Sequence, residues 1–274
     1  MHPGVPAVTT TERRHLDKIR DRFTNTAEPF AEFVLSRRAE EAERVAAAFT
    51  SGFEHAASAV AMDLACGPGT FLRALGQRVG RTVGVDFTPA MLARARREAA
   101  RAAQANVAFL CAEVSALPFA AESADMTLCA YAVHHLLAPD QVIREMARVV
   151  RPGGRVGVVD LVLQEGADPG AHNQIERVRD PSHVATLSAS DLRSLFREAG
   201  LQELAGEQHQ RRRDFDEWMH VAGHAPASAV YAETRRLMEA SLTSDTTGFS
   251  PRRDPASGAL QFTQHAFFLL AEKA

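Results

Sequence analysis

The stretch Val60-Ala-Met-Asp-Leu-Ala-Cys-Gly-Pro-Gly-Thr70 decides the fold of this chain. A short apolar run ends on Asp63 and opens directly into a turn that contains Gly67 and Gly69. This order is typical of a β-strand that leads through a ligand-binding turn into a helix. Glycine lets the backbone pass close to a bound molecule, and an acid at the end of the strand attracts a positive group. The stretch therefore predicts a site for a cofactor that carries an amine.

A dinucleotide is the competing ligand for such a turn. Its fingerprint, Gly-x-Gly-x-x-Gly, needs a third glycine so that the helix packs on the strand and receives a pyrophosphate. Leu72 occupies that third position. A carboxylate ahead of the glycines also repels a diphosphate but attracts the ammonium of a methionine-like group. S-adenosylmethionine therefore fits better than NAD, and the alternative that Asp63 only caps a tight connection stays open.

A second β-branched run, residues 81–86, also ends on an acid, Asp86. Asp86 follows Asp63 by 23 residues, close to the separation of about 20 residues at which an acid meets the ribose hydroxyls in dinucleotide folds. Phe87 is placed to face the adenine. The alternatives are a solvated strand end for Asp86 and a core aromatic for Phe87, but their adjacency favours a nucleoside site.

Strand and helix patterns alternate along the next part of the chain. Strands are predicted over residues 106–111, 124–131 and 155–163, and a helix over residues 139–150. This alternation implies a parallel sheet with helices on both faces, whose ligands bind at the carboxyl ends of the strands. Beyond residue 200, the pattern predicts an antiparallel strand pair, residues 201–213 with 260–271.

In their order, these motifs resemble those of the class I S-adenosylmethionine-dependent methyltransferases. The resemblance covers roughly residues 59–163 and rests on Asp63-Leu-Ala-Cys-Gly-Pro-Gly69, Val85-Asp86, Glu113 ahead of Leu117-Pro-Phe119, and Arg151-Pro-Gly-Gly154. The pattern is similar to the small-molecule branch that includes the ubiquinone and menaquinone C-methyltransferases. It implies an α/β fold: a Rossmann-like, seven-stranded, mostly parallel sheet with an antiparallel C-terminal hairpin, helices on both faces and an N-terminal helical lid.

The same resemblance implies which residues bind S-adenosylmethionine. They are Asp63, Ala65, Gly67 and Gly69 for the methionine portion, Asp86 for the ribose, and Ala112, Glu113 and Val114 for the adenine, to which the position of Phe87 adds that residue. Ala65 stands where many members have the first glycine, which is a mild change if its φ is negative. Glu113 stands where many members have Asp, and it keeps the carboxylate on a longer stem.

The acceptor site is predicted in segments added to the cofactor fold. An insertion at residues 164–189 contains Arg179-Asp-Pro-Ser-His183, and related small-molecule methyltransferases carry a similar segment, which implies that it lines the substrate pocket. Arg179 and Asp180, with Asp160 on the fifth strand, are candidates to orient a polar acceptor. Arg211-Arg-Arg213 is instead interpreted as a solvated charge run, although it could meet an anionic group.

His134 and His183 are the candidate general bases. A base with a pKa near the working pH suits a phenol, enol or activated carbon acceptor, and histidine is the residue of that kind. His134 follows the fourth strand, at the edge where the methyl group should point. His135 is a weaker candidate, and the alternative for all three is a packed or surface histidine.

The domain organisation predicted from these patterns has two parts. Residues 1–50 comprise a tail and a helical lid, with helices over residues 11–23 and 29–49 that could equally pack on the sheet. Residues 51–274 form the methyltransferase domain. It carries the substrate-side insertion and a mobile loop at residues 243–258.

Composition narrows the class of partner. Lys and Arg total 31 against 34 acids, a net charge of −3, which gives no electrostatic footprint for nucleic acid. The three cysteines lie far apart and predict neither a disulfide framework nor a metal site. No apolar run approaches a membrane span and no leader is evident, so we expect a cytoplasmic protein with a small-molecule substrate. The oligomeric state stays open, a homodimer included.

Three functions remain in contention. The first is methyl transfer to carbon or oxygen of a small aromatic, quinone-like or polyketide-type metabolite, as in secondary metabolism. The second uses the same fold and cofactor for another reaction, such as a cyclisation. The third is a regulatory protein that binds S-adenosylmethionine without turnover. The apparent completeness of the cofactor motifs favours an enzyme.

Overall fold

The computed structural model describes residues 9–274. The predicted N-terminal tail falls largely on residues 1–8, which lie outside the described residues.

The strands assemble into one mixed sheet, as predicted. In chain order they are β1 Val60–Leu64, β2 Arg81–Asp86, β3 Val107–Cys111, β4 Ala124–Ala130, β5 Val150–Leu161, β6 Leu201–Asp214, β7 Arg252–Arg253 and β8 Leu260–Lys273. Seven of them follow the order β3-β2-β1-β4-β5-β8-β6, and the two-residue β7 pairs with β8. The first five strands are parallel, while β8 is antiparallel to both β5 and β6. The predicted C-terminal antiparallel pair is therefore confirmed.

Helices surround this sheet. Within residues 9–274 they are α1 Thr10–Asn25, α2 Ala27–Arg37, α3 Ala39–Thr50, α4 Thr70–Gly76, α5 Pro89–Arg101, α6 Pro139–Val149, α7 Pro169–Arg179, α8 Ala189–Glu198, α9 Phe215–Val221 and α10 Ala229–Ala240. Helix α8 begins with the expected capping box, in which the Ser188 hydroxyl accepts from the Asp191 amide at 3.0 Å. Two 3₁₀ turns, Ala56–Ser58 and Val133–His135, complete the set.

Two helical segments differ from the sequence prediction. The helix expected over residues 29–49 is divided into α2 and α3 at Arg38, whose φ of −118° and ψ of 6° leave the helical region. Helix α9 was not predicted. It starts directly after β6, where the Asp214 side chain accepts from the Glu217 amide at 3.0 Å and so caps the first turn.

The sheet topology determines where the site lies. β1 is central, with β2 on one side and β4 on the other, and Leu64 pairs with Val85 and with Cys129. Because all these strands are parallel, their carboxyl ends and the loops that follow them meet at one edge of the sheet. The three segments that carry the predicted site residues therefore converge.

Both faces of the sheet are covered by apolar packing. On one face, α6 buries Val142, Ile143 and Met146, while on the other α3 buries Phe49 against Leu270 of β8. A third cluster, beside the sheet, contains Ile175, Phe215, Trp218, Met219, Tyr231, Met238, Phe249, Leu260 and Phe262. This third cluster fixes α7 and α9 next to the carboxyl edge of the sheet.

The contact between α3 and the sheet makes a stability prediction. A Cβ added to Gly157 of β5 would lie 2.4 Å from the Phe49 ring, so Gly157→Ala should lower the free energy of unfolding by about 1–3 kcal/mol through overpacking. The measurement is chemical denaturation. Gly170→Ala is the control, since Gly170 is exposed in the first turn of α7 and an added Cβ would lie 3.1 Å from the exposed Asp168 side chain, which can shift; it should change the free energy of unfolding by less than about 1 kcal/mol. Equal effects of the two substitutions would contradict the packing account.

Candidate active site

A cavity of about 240 Å³ opens at the carboxyl edge of the sheet. Its walls come from the loops after β1, β2, β3 and β4, from α7 and α9, and from α1 and α2. Most of the predicted site residues line it: Ala65, Gly67, Asp86, Phe87, Glu113, Val114, His134, Arg179 and Asp180. The others, Asp63, Gly69, Ala112, Asp160 and His183, lie outside its lining.

The turn after β1 has left-handed backbone at three positions. Ala65 has φ 55°, Gly67 has φ 51° and Gly69 has φ 84°. The condition under which alanine would be a mild change here, a negative φ, is therefore not met. A residue with a Cβ costs about 1–2 kcal/mol in this region, so the turn holds Ala65 in a strained conformation, as is common where a backbone is shaped around a ligand.

The two glycines of this turn have different roles. A Cβ on Gly67 would meet nothing within 4 Å, and Gly67 lines the cavity, so its backbone faces open space that a ligand can fill. A Cβ on Gly69 would lie 3.2 Å from the Ala95 side chain. Gly69 therefore permits the close approach of α4 and α5 and stands behind the cavity wall.

Asp86 fixes the turn against the second strand. Its Oδ2 accepts from the Gly67 amide at 2.9 Å, and its Oδ1 accepts from the Thr88 amide at 2.8 Å. Burial raises the pKa of Asp86, while these two amides oppose the rise. The carboxylate lines the cavity with lone pairs still free for the hydroxyl groups of a ligand.

Asp63 lies beneath the turn and is 1% exposed. Burial raises its pKa to about 8, so in the unliganded protein at neutral pH the carboxyl is largely protonated. A neutral carboxyl exerts little attraction on an ammonium group, and Asp63 does not line the cavity. Its predicted contact with the methionine amine stays a prediction.

The end of β3 supplies a polar edge to the cavity. Glu113 accepts from the Ser115 hydroxyl at 2.5 Å, and both residues line the cavity together with Val114. Phe87 lines it from the β2 loop, with the Arg20 guanidinium 5.5 Å from its ring centroid. The predicted adenine and ribose residues are thus neighbours on one wall.

His134 forms a close pair with Asp160. The ring Nδ1 of His134 lies 2.5 Å from Asp160 Oδ1, and the His134 amide donates to Asp160 Oδ2 at 3.2 Å. Burial alone would lower the pKa of His134, but the Asp160 carboxylate outweighs it and raises that pKa. Because Nδ1 is bound to Asp160, Nε2 is the ring nitrogen available to a molecule in the cavity.

The other two histidines of this region, His135 and His183, are neutral near pH 7 because they are buried. Burial lowers the pKa of His135 to about 4 and that of His183 to about 3. His183 lies 2.7 Å from the Asn173 side-chain oxygen, a neutral partner. His135 Nδ1 lies 3.0 Å from the Ser182 carbonyl oxygen. The structure does not bring His183 to the cavity, contrary to its predicted role as a base, because the insertion folds it inward against α7.

The N-terminal helices form one wall of the cavity. Arg22 of α1 donates from Nε to Asp180 at 3.1 Å, and His15 Nε2 lies 2.7 Å from the His135 carbonyl oxygen. Phe23 packs edge-on against the His135 ring, with 5.4 Å between centroids. These contacts join the predicted lid to the predicted acceptor segment, while the opening of such a lid stays a prediction.

Three further residues of the cavity make contacts that the sequence did not predict. Tyr131, with φ 55°, donates to Glu41 at 2.7 Å and packs under Arg38. Trp218 is buried and packs under the Arg179 guanidinium at 4.3 Å. Arg213, interpreted as part of a solvated run, is only 6% exposed. The alternation of β6 was the available signal, since it separates Arg213 from its neighbour on the opposite face.

Two general findings limit the kind of site. No group of three His, Cys, Asp or Glu side chains suited to a metal ion occurs within residues 9–274. In the same described part of the chain, none of the helices combines the length and apolar character needed to cross a membrane.

The loop predicted to be mobile contains β7, and Asp245 within it accepts from the Thr247 and Ser250 amides, each at 2.8 Å.

Comparison with known proteins defines the class. Residues 62–158 match the family model described as a methyltransferase domain. The fold is that of a class I S-adenosylmethionine-dependent methyltransferase domain. Within this chain, residues 62–158 belong to that methyltransferase domain family, and S-adenosylmethionine is the cofactor of the class.

Several curated proteins are similar in sequence. An uncharacterised methyltransferase, YcgJ of Bacillus subtilis, is 32% identical over 168 residues, which cover 59% of this chain and 64% of that protein. The 2-phytyl-1,4-naphtoquinone methyltransferase of Thermosynechococcus vestitus is 37% identical over 38% of this chain and 46% of its own length. Methyltransferase GfsG of Streptomyces halstedii is 32% identical over 60% of each chain. The chain thus spans about half to two thirds of the length of these relatives.

Solved structures agree on the fold. The crystal structure of Bacillus subtilis YcgJ superposes with a TM-score of 0.72 at 25% identity, covering 84% of this chain and 98% of that one. The [4+2]-cyclase SpnF superposes with a TM-score of 0.68 at 18% identity and covers 99% of both chains. At that identity the second match shows the fold alone.

The residues present fit the cofactor of the class. Gly67 offers an open backbone face, Asp86 a carboxylate that retains free lone pairs, and Glu113 an acceptor on the adjoining wall. These three features line one cavity in the order expected for the methionine, ribose and adenine parts. The assignment of each residue to its part stays a prediction.

The strain at Ala65 can be measured. Ala65→Gly should leave the free energy of unfolding unchanged or raise it by up to about 1 kcal/mol, because relief of the left-handed strain offsets the extra freedom of the unfolded chain. Chemical denaturation is the measurement. Ala93→Gly, at an exposed helical position of α5, is the control and should cost about 1 kcal/mol. A loss of stability in Ala65→Gly as large as that of the control would contradict the strain.

Proposed function

We propose that this chain transfers a methyl group from S-adenosylmethionine to a carbon or oxygen atom of a small aromatic, quinone-like or polyketide-type metabolite. The observation that carries the proposal is a single cavity lined both by the open backbone of Gly67 and by His134. A cofactor on the first and an acceptor beside the second would share one enclosed space, which is the requirement for direct group transfer.

The chemistry divides between the cofactor and the protein. When bound, S-adenosylmethionine supplies an electrophilic methyl group on a sulfonium. The protein must position the acceptor, exclude water and remove a proton if the acceptor is neutral. Helices α1 and α2 cover the cavity and exclude water. The wall that contains Arg179 and Trp218 positions the acceptor.

His134 is the proposed general base. The Asp160 carboxylate holds Nδ1 and stabilises the charge that His134 gains on taking a proton at Nε2. Its raised pKa keeps it basic enough to accept a proton from a phenol or enol near neutral pH. Asp160 itself lies outside the cavity and acts through His134, as a positioning residue. His183 is not retained in this role because it does not line the cavity.

The relatives support a metabolite acceptor. Their names include a 2-phytyl-1,4-naphtoquinone methyltransferase, two demethylmenaquinone methyltransferases and a 27-O-demethylrifamycin SV methyltransferase from Amycolatopsis mediterranei. Three of these names specify a quinone, and the fourth specifies an oxygen atom as the position of the methyl group. The aromatic and aliphatic walls of this cavity, among them Phe23, Phe33 and Trp218, suit molecules of that kind.

The first test combines cofactor binding with product mass. Calorimetry should show that S-adenosylmethionine binds, and mass spectrometry of reactions with a panel of hydroxylated aromatics, quinols and polyketide lactones should reveal a product heavier by one methylene. Failure to bind the cofactor would contradict the proposal. Binding with a product of unchanged mass would favour a cyclisation, and binding without any product would favour a regulatory protein.

The second test is the pH dependence of turnover with the acceptor so identified. Since a general base acts in its neutral form, kcat/KM should rise with pH along a limb centred above 6.5, the ordinary value from which Asp160 raises the pKa of His134. Asp160→Asn removes the negative charge, so the limb should move to lower pH. The measurement is kcat/KM against pH for both proteins.

Two further variants make this test specific. His134→Ala should abolish the limb and lower kcat by about 10²–10⁴ while cofactor affinity is kept. His220 is an exposed histidine of α9 that does not line the cavity. His220→Ala should therefore change neither the limb nor kcat. A limb that stays in place in Asp160→Asn, or a kcat unaffected in His134→Ala, would remove His134 from the mechanism.

A further inference from the structure

Arg213 is a buried cation that the proposed reaction does not yet use. It lies near the end of β6, is 6% exposed and lines the cavity. Its Nη1 donates to the Gln264 side-chain oxygen at 2.8 Å, and its guanidinium packs over the Phe33 ring at 4.9 Å. Its second terminal nitrogen, Nη2, is buried and has no hydrogen-bond partner among the described residues.

Three other arginines line the cavity, and each of them is paired with a carboxylate. Arg22 meets Asp180 at 3.1 Å, Arg38 meets Glu41 at 3.0 Å, and Arg179 meets Glu176 at 2.8 Å. Within residues 9–274, no carboxylate lies within 4.0 Å of Arg213. Glu217, which lies beyond this distance, favours the charged form of Arg213, so this wall of the cavity carries one guanidinium that lacks an ion pair.

An uncompensated charge in such a place is costly for the folded protein. Taking a guanidinium out of water is repaid only by an opposite charge and by hydrogen bonds that use its donors. Arginine keeps its charge at neutral pH, so it cannot avoid this cost by losing a proton. Burial and the neighbouring Arg38 lower the pKa of Arg213 to about 10, which still leaves it cationic. An anionic ligand would supply the missing partner.

The topology places this charge on the acceptor side of the cavity. The cofactor residues follow β1, β2 and β3, whereas Arg213 is on β6, at the opposite edge of the sheet order. Strands β4, β5 and β8 stand between β1 and β6, and neighbouring strands are about 4.8 Å apart. Trp218 and Gln264 line the cavity on the same side.

We propose that Arg213 binds an anionic group of the acceptor, a carboxylate or an enolate of single negative charge. The proposal rests on the proposed function and specifies its substrate class. A single charge is specified because Arg213 is the one arginine of the cavity lining without an ion pair among the described residues. The planar guanidinium suits the two oxygens of a carboxylate, which it can bind through parallel hydrogen bonds.

The test compares an aromatic acid with its uncharged amide. With the protein saturated with S-adenosylhomocysteine, calorimetry should show that 4-hydroxybenzoate binds at least about tenfold more tightly than 4-hydroxybenzamide, as expected for a hydrogen-bonded charge pair. Arg213→Met should abolish this preference, and S-adenosylhomocysteine should bind the variant within about twofold of its original affinity. Arg213→Met should also raise the Tm of the ligand-free protein, because it removes an unpaired buried charge.

Two other variants serve as controls. Arg212→Met, at an exposed neighbour on the opposite face of β6, should keep the preference for the acid. Arg213→Lys keeps the charge but loses the planar fork, so it should retain only part of the preference; it also provides the readout if Arg213→Met fails to fold.

Several outcomes would overturn the proposal. One is that the unaltered protein binds the acid no better than the amide, or binds neither. Another is that Arg213→Met loses affinity for S-adenosylhomocysteine while the acid is still preferred, which would assign the guanidinium to the carboxylate of the cofactor. If the unaltered protein does not bind S-adenosylhomocysteine at all, the proposed function itself is contradicted. That result is distinguishable from a failure of the acid preference alone.

Discussion

The site depends on the hydrogen bonds that Asp86 accepts from the amides of Gly67 and Thr88. One carboxylate at the end of β2 thereby fixes the turn that follows β1 and the start of α5. Hydrogen bonds to a charged acceptor contribute about 1.5–3 kcal/mol each, which is enough to hold a turn with three left-handed residues. A second bond, from the Cys66 amide to the Val85 carbonyl oxygen at 3.0 Å, joins the same two segments. The shape of the cavity wall follows from this anchoring, because Gly67 can offer its backbone to a ligand only while the turn is held in place.

The N-terminal helices complete the cavity through charge as well as through packing. The Asp180 carboxylate is almost fully buried, and Arg22 of α1 is its nearest cationic partner, with side-chain exposures of 13% for Arg22 and 5% for Asp180. Burial raises the pKa of Asp180, but the neighbouring His135, Arg22 and Arg179, together with the Ser182 hydroxyl, outweigh it and hold that pKa far below its usual range. If α1 moved away, Asp180 would lose its ion pair and regain water. The Asp180 carboxylate therefore has a partner in either arrangement: Arg22 when α1 lies against the insertion, and water when α1 has moved away.

Local signals were sufficient for much of the fold. The strand over residues 81–86 was predicted with its observed bounds because β-branched residues are followed by the Thr88-Pro89 helix start. The break between α2 and α3 at Arg38 was not predictable, because neither glycine nor proline marks it. The left-handed conformation of Ala65 was missed for a similar reason: it is imposed by hydrogen bonds to another strand. The burial of Arg213 depends on β8 and on Phe33, which are distant in sequence. Only the alternation of β6 distinguishes Arg213 from Arg212, and the composition of the run does not.

The candidate base illustrates why residue type alone does not assign a role. His134 and His183 have ring centroids only 5.7 Å apart. His183 is buried and the His134 side chain is only 11% exposed, and burial by itself lowers the pKa of a histidine. Their partners differ: a carboxylate, Asp160, lies against the first, and a neutral amide, Asn173, lies against the second. The carboxylate reverses the effect of burial and the amide does not, so the two pKa values move in opposite directions. Of the two rings, only that of His134 has a raised pKa, and it is the one that lines the cavity.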